Sequence, residues 1–128
     1  MTPDPRLLSL ATAVPPYELA QDDAAAYAKR IFDGPECEIG YLLPIFENAG
    51  IARRRSCVPL DWYLTPVGWR ERNALYLDNA LALLEEAAVG ALRAAGLVAG
   101  QIDAIVTVST TGLATPSLEA RLLSLIHI

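Results

Sequence analysis

The sequence predicts an α/β fold with strands covered on both faces, and three features point to it. Ile102, Ile105, Val106 and Val108 form a near-continuous apolar run, the pattern of a strand inside a parallel sheet. Residues 70–95 ahead of it carry Leu77, Leu81, Leu84, Ala88, Leu92 and Ala95 at three- and four-residue steps, so this helix and strand make half of a βαβ crossover. Ser109 to Ala114 then supply hydroxyls and one glycine just beyond the strand's carboxyl end, where an open α/β sheet places its ligands.

The elements follow in order. Residues 7–14 read as a first strand, stopped by Pro15 and Pro16 because proline cannot donate to a ladder. A helix follows, with Asp22 and Asp23 at its start, Lys29 and Arg30 at its end, and Ala24, Tyr27, Ala28 and Ile31 at helical spacing. Asp33-Gly34-Pro35 ends it, and a second short helix within 36–50 closes at Gly50. Residues 51–58 are extended and rich in arginine, and 59–68 form a loop with two aromatics. Gly96 stops the long helix. Thr115-Pro116 reads as a helix start, with Thr as N-cap and Pro at the first helical position.

A chain of 128 residues is one domain or less, and it is apolar for its size at 53% hydrophobic residues. Its strands therefore expect neighbours that the sequence does not contain. A net charge of −5 argues against nucleic acid or an anionic membrane as partner, since both select basic surfaces. Neither a signal-type N-terminus nor a spanning apolar stretch is evident, so a cytoplasmic protein is expected, with Cys37 and Cys57 as reduced thiols.

Phe46-Glu-Asn-Ala-Gly-Ile-Ala-Arg-Arg-Arg55, Asp61-Trp-Tyr-Leu64, Gly68-Trp-Arg-Glu-Arg-Asn-Ala-Leu-Tyr-Leu77 and the stretch 102–121 together resemble the type III polyketide synthases, the chalcone and stilbene synthase family. The resemblance covers roughly residues 6–123. It implies the N-terminal portion of a thiolase-like layered αβαβα fold, incomplete, with residues 1–122 as a partial domain. It also implies a homodimeric acyltransferase acting on acyl-CoA and malonyl-CoA, with no cofactor or metal. The family's cysteine, histidine and asparagine, the first in a Gly-Cys-x-Gly-Gly turn, correspond to positions beyond residue 128, so this chain alone is expected to be inactive. A ketoacyl-acyl-carrier-protein synthase III is the alternative within the fold, and a non-catalytic interaction module the alternative outside it. Residues 123–128, Leu-Ser-Leu-Ile-His-Ile, lie past the resemblance and read as a translated transposon adapter end, hence as a non-native tail.

Carried over by position, Thr110 and Thr111 line the acyl pocket, and Thr115 takes the place of the residue that crosses the dimer interface. Hydroxyls that merely satisfy turn and helix amides explain the first two equally well. Arg53, Arg54 and Arg55 are candidates for the coenzyme A phosphates, although Asn48 stands where plant relatives carry a lysine; a solvated, edge-protecting strand is the competing use. Cys57 follows three arginines that would favour its thiolate, but no glycine-rich turn follows it, and an inert thiol is expected. Cys37 sits between Glu36 and Glu38, which disfavour a thiolate. His127, the one histidine, lies in the tail. Trp62, Tyr63 and Trp69 are read as packing residues of the loop rather than as a tunnel lining.

Overall fold

The computed structural model describes residues 4–34 and 39–126, which divide into two compact units, one built from 4–14 and 69–126 and the other from 15–68. Cys37 and His127 lie outside the described residues.

In the first unit the dominant element is helix α3, Trp69–Ala95. Gly96 takes φ 68°, a left-handed conformation that costs glycine nothing, and Leu97 N–H and Gly96 N–H donate to Leu92 O (3.0 Å) and Arg93 O (3.2 Å). This terminus is the one the sequence anticipates. A single 3-10 turn, Ala99–Gln101, redirects the chain. Helix α4, Leu118–Leu125, packs on α3 and contributes Leu118 and Leu122, two of the four buried apolar side chains among the described residues.

Between these helices run the segments expected as strands, and here expectation and structure part. Residues 4–14 and 102–108 belong to no ladder among the described residues. Both nevertheless keep strand-like alternation. Ser9, Ala11 and Ala13 are half-buried, with Ser9 Oγ donating to Ala91 O at 2.8 Å, while Leu8, Leu10 and Val14 face out. Ile105 and Thr107 are half-buried, whereas Val106 and Val108 are 88% and 91% exposed. The expected two-sided cover is thus one-sided, since helices back a single face and, among the described residues, no paired strand fills either edge. Ser9, Ala88, Leu92, Ile102, Ile105 and Leu122 line an open apolar cleft of about 280 Å³ in this layer.

The helix start expected at Thr115-Pro116 is also displaced, because Ser117 takes the extended N-cap conformation and α4 begins at Leu118. Arg121, one turn into the helix, donates from Nε to Pro116 O (2.9 Å) and from Nη2 to Thr115 O (3.0 Å). These two carbonyls are therefore tied to a helical side chain, and their residues remain in the preceding turn.

In the second unit, β1 (Tyr17–Ala20) pairs antiparallel with β2 (Arg53–Ser56), Tyr17 opposite Ser56 and Ala20 opposite Arg53. Pro15 and Pro16 therefore precede a strand instead of ending one, which is consistent with proline at a strand's entry. Helix α1, Gln21–Phe32, has the expected acidic first turn and basic last turn. The span 39–50 holds a 3-10 turn, Ile39–Leu42, and the short helix α2, Pro44–Asn48, closed by Gly50 at φ 63°. The aromatic loop contains another 3-10 turn, Leu60–Leu64, in which Trp62 and Tyr63 meet edge to face at 5.3 Å and Tyr63 Oη hydrogen-bonds Ser56 Oγ. Trp69 is 66% exposed as the first residue of α3.

Candidate functional site

The loop after residue 108 is held at both ends by the first turns of α3. Asn73 Nδ2 donates to Leu113 O (3.0 Å) and Asn73 Oδ1 accepts from Leu113 N–H (2.8 Å), so one side-chain amide satisfies both backbone groups of a loop residue. Tyr76, three residues on and hence on the same helix face, hydrogen-bonds Ser109 through its hydroxyl. Gly112 lies against both side chains. A Cβ there would sit 2.6 Å from Tyr76 Cε1 and 2.9 Å from Asn73 Oδ1, which only a glycine avoids.

Between the two tethers, Thr110 and Thr111 stand exposed, as does Thr115 further on. Thr111 N–H makes a long contact of 3.5 Å to Ser109 Oγ, and no hydrogen bond from either threonine hydroxyl is found among the described residues. Just upstream, Thr107 Oγ1 donates to Glu119 at 2.6 Å. That bond, with backbone and Ser117 donors behind it, holds the Glu119 carboxyl below the usual glutamate range.

Sequence reasoning singles out Thr110 and Thr111, which the structure leaves exposed, and passes over Asn73, Tyr76 and the reason for Gly112. A signal was available. Asn73 lies four residues before Leu77 on the apolar stripe of α3, and an amide on a core-facing stripe calls for a polar partner.

The second locus is the arginine strand. Pleating puts Arg53 and Arg55 on one face, where both pair with Glu18 at 3.3 and 2.6 Å. Arg54 points the other way, donating to Gln21 Oε1 (2.7 Å) and lying 5.7 Å from the Phe46 ring centre. Gln21, buried, completes the junction through Nε2 to Phe46 O at 2.6 Å. Arg54 and Arg55 border a cleft of about 220 Å³ with Leu19, Ala28, Ile31 and Leu60. The three arginines are adjacent in sequence but do not converge on one point. Cys57 is half-buried and unbridged, directly after β2.

Helices backing one face of apolar extended segments, with a hydroxyl-bearing loop at the end of one of them, fit a thiolase-like α/β fold, of which this chain carries about a third. Against the crystal structure of 1,3,6,8-tetrahydroxynaphthalene synthase from Streptomyces coelicolor A3(2), described as a bacterial type III polyketide synthase, the TM-score is 0.79 at 29% identity, over 93% of this chain and 35% of that one. A fungal type III polyketide synthase gives a TM-score of 0.80 at 25% identity, over 94% and 33%. In sequence, the chain is 40% identical over 111 residues to 1,3,6,8-tetrahydroxynaphthalene synthase of Streptomyces peucetius subsp. caesius, covering 87% of this chain and 29% of that one. It is 32% identical over 123 residues to a putative chalcone synthase of Bacillus subtilis (strain 168), covering 92% and 34%. No family model matches the chain. Over about nine-tenths of its own length the chain is thus similar to type III polyketide synthases, and it spans about a third of the length of these relatives.

Proposed function

We propose that this chain supplies the N-terminal third of an acyltransferase that condenses acyl-CoA starters with malonyl-CoA into polyketides. The observation that carries the reading is the clamped loop, which leaves Thr110 and Thr111 as free hydroxyls at the end of the 102–108 segment, the position at which such sheets hold ligands. In this reading a cysteine thiolate elsewhere in the enzyme attacks the starter thioester and releases coenzyme A. Malonyl-CoA then loses carbon dioxide, and the resulting enolate attacks the enzyme-bound acyl group and frees the thiolate again. Thr110 and Thr111 face the acyl chain, and Thr115 lies toward the partner subunit of a homodimer.

Arg53, Arg54 and Arg55 are the weaker half of the proposal. Glu18 already neutralises two of them, so a coenzyme A phosphate must compete with a carboxylate at 2.6 Å from Arg55. The apolar floor of the cleft beside Arg54 and Arg55 supports contact with a pantetheine arm. No helix among the described residues is long and apolar enough to cross a membrane, and a cytoplasmic location is part of the same proposal. So is the boundary at 122/123, which α4 crosses without a break.

Three measurements test it. Genomic DNA read past codon 122 is expected to continue in frame into a Gly-Cys-x-Gly-Gly turn; a stop after codon 128 would refute both the tail and the enzyme. A full-length synthase carrying residues 6–122 in place of its matching third should convert labelled malonyl-CoA, whereas the 128-residue chain alone should not. Thr110→Leu in that enzyme should alter product length or cyclisation more than starter loading, and unchanged product ratios would remove Thr110 from the pocket.

A further inference from the structure

We propose that Glu18 is an internal competitor for the anion site of Arg53 and Arg55, a carboxylate that occupies both guanidiniums until a phosphate displaces it. This rests on the coenzyme A reading above and adds to it a residue that weakens binding, so that spent coenzyme A is held loosely.

Strand geometry brings the three groups together. Arg53 and Arg55 are two residues apart on β2 and hence on one face, and the ladder sets Glu18 directly across from Arg55. The carboxylate is divided between them, with Oε1 3.3 Å from Arg53 Nη1 and Oε2 2.6 Å from Arg55 Nη2. A single anion with two oxygens therefore already bridges two guanidiniums, the same geometry by which arginines take a phosphate. Arg54 has no share in this site, because it projects to the opposite face and donates to Gln21 Oε1. The side chains of Glu18, Arg53 and Arg55 are 40%, 71% and 43% exposed, so the site is open to a ligand, and ion pairs this exposed are weak enough to exchange. Both strands are held by their ladder from Tyr17 to Ala20, so Glu18 swings aside by a change of side-chain rotamer while the backbone stays in place. Arg55 also borders the apolar cleft with Leu19 and Leu60, so an anion seated in place of Glu18 has an apolar floor beside it for its arm. A ligand that must displace a resident group binds with an affinity reduced by the fraction of sites left vacant. In the proposed reaction coenzyme A is released at each loading of the thiolate, and a lowered affinity limits its rebinding.

The test uses the full-length synthase carrying residues 6–122, compared as parent, Glu18→Gln, Arg55→Gln and the two changes combined. Calorimetry measures binding of coenzyme A and of pantetheine, the arm without its phosphates. Glu18→Gln keeps the size of the side chain and removes its charge. It should tighten coenzyme A binding about threefold to fivefold, the worth of an exposed ion pair, and leave pantetheine binding unchanged. Arg55→Gln should weaken coenzyme A binding, and adding Glu18→Gln to it should recover little, because the shorter of the two contacts that Glu18 makes is already gone. If Glu18→Gln disturbs the strand pair, Glu18→Asp decides by the same measurement, since a carboxylate one methylene shorter cannot reach both guanidiniums and should also tighten binding. Coenzyme A binding that is unchanged or weaker without the Glu18 charge, while Arg55→Gln still weakens it, would overturn the competitor and spare the coenzyme A site. Equal tightening of pantetheine would overturn it too, by placing the effect away from the phosphates. Coenzyme A binding that no variant alters defeats both the competitor and the assignment of these arginines to coenzyme A.

Discussion

Replacing Val106 and Val108 by lysine should convert this chain from a self-associating species toward a monomer. These valines are 88% and 91% exposed on the outer face of a segment whose inner face is backed by helices, and Leu8 and Leu10, at 67% and 79%, are in the same condition on residues 4–14. Fully burying a valine or leucine side chain is worth about 1.5–3 kcal/mol, so covering these four and Val14 gives on the order of 10 kcal/mol. Against the low end of the roughly 4–15 kcal/mol that association costs in lost freedom, about 6 kcal/mol remains, a dissociation constant on the order of tens of micromolar and within reach of ordinary working concentrations. Unpaired backbone in both segments adds an edge on which a second copy can build strands. Removing two valines withdraws at least about 3 kcal/mol, or roughly a hundredfold in the association constant, before any penalty for burying lysine. Light scattering after size exclusion, run over a range of concentrations with thermal unfolding alongside, measures it. A wild-type chain that is a monodisperse monomer with a sharp cooperative transition would refute the reasoning, as would a double-lysine variant that associates as strongly as the parent.

Two further expectations concern stability and protonation. In the double-lysine background, Leu122→Ala, at a site 3% exposed, should cost about 2–3 kcal/mol in urea unfolding, the low end for buried leucine, because the adjoining cleft of about 280 Å³ is already open and little new void is made; a cost below about 1 kcal/mol would place Leu122 outside the core. Thr107→Val should raise the Glu119 titration toward the ordinary glutamate range, followed by NMR of its carboxyl carbon. Because the folded carboxyl is held low, its contribution to stability is present above the unfolded glutamate pKa and is lost as pH falls through the lowered one. An unmoved titration in Thr107→Val would transfer the effect to the backbone and Ser117 donors.

The sequence by itself determined α1 and α3 and their ends. The stripe from Leu77 to Ala95, the charges flanking α1, and glycines at 50 and 96 act through neighbours three or four residues away, so local pattern is enough to specify them. It also carried the family resemblance, because the motifs at 46–55, 61–64, 68–77 and 102–121 keep their order and spacing. That 7–14 and 102–108 are extended was legible too, but not that their cover is one-sided nor whether a ladder forms, since a strand needs a partner that its own residues do not name. Only the tertiary structure decided that the ladder runs from 17–20 to 53–56, that Glu18 answers two of three adjacent arginines, and that α4 starts after Pro116. The clamp from Asn73 to Leu113 spans forty residues. Its physical reason, an amide matching a backbone N–H and C=O at once, exists only after the chain has brought helix and loop together.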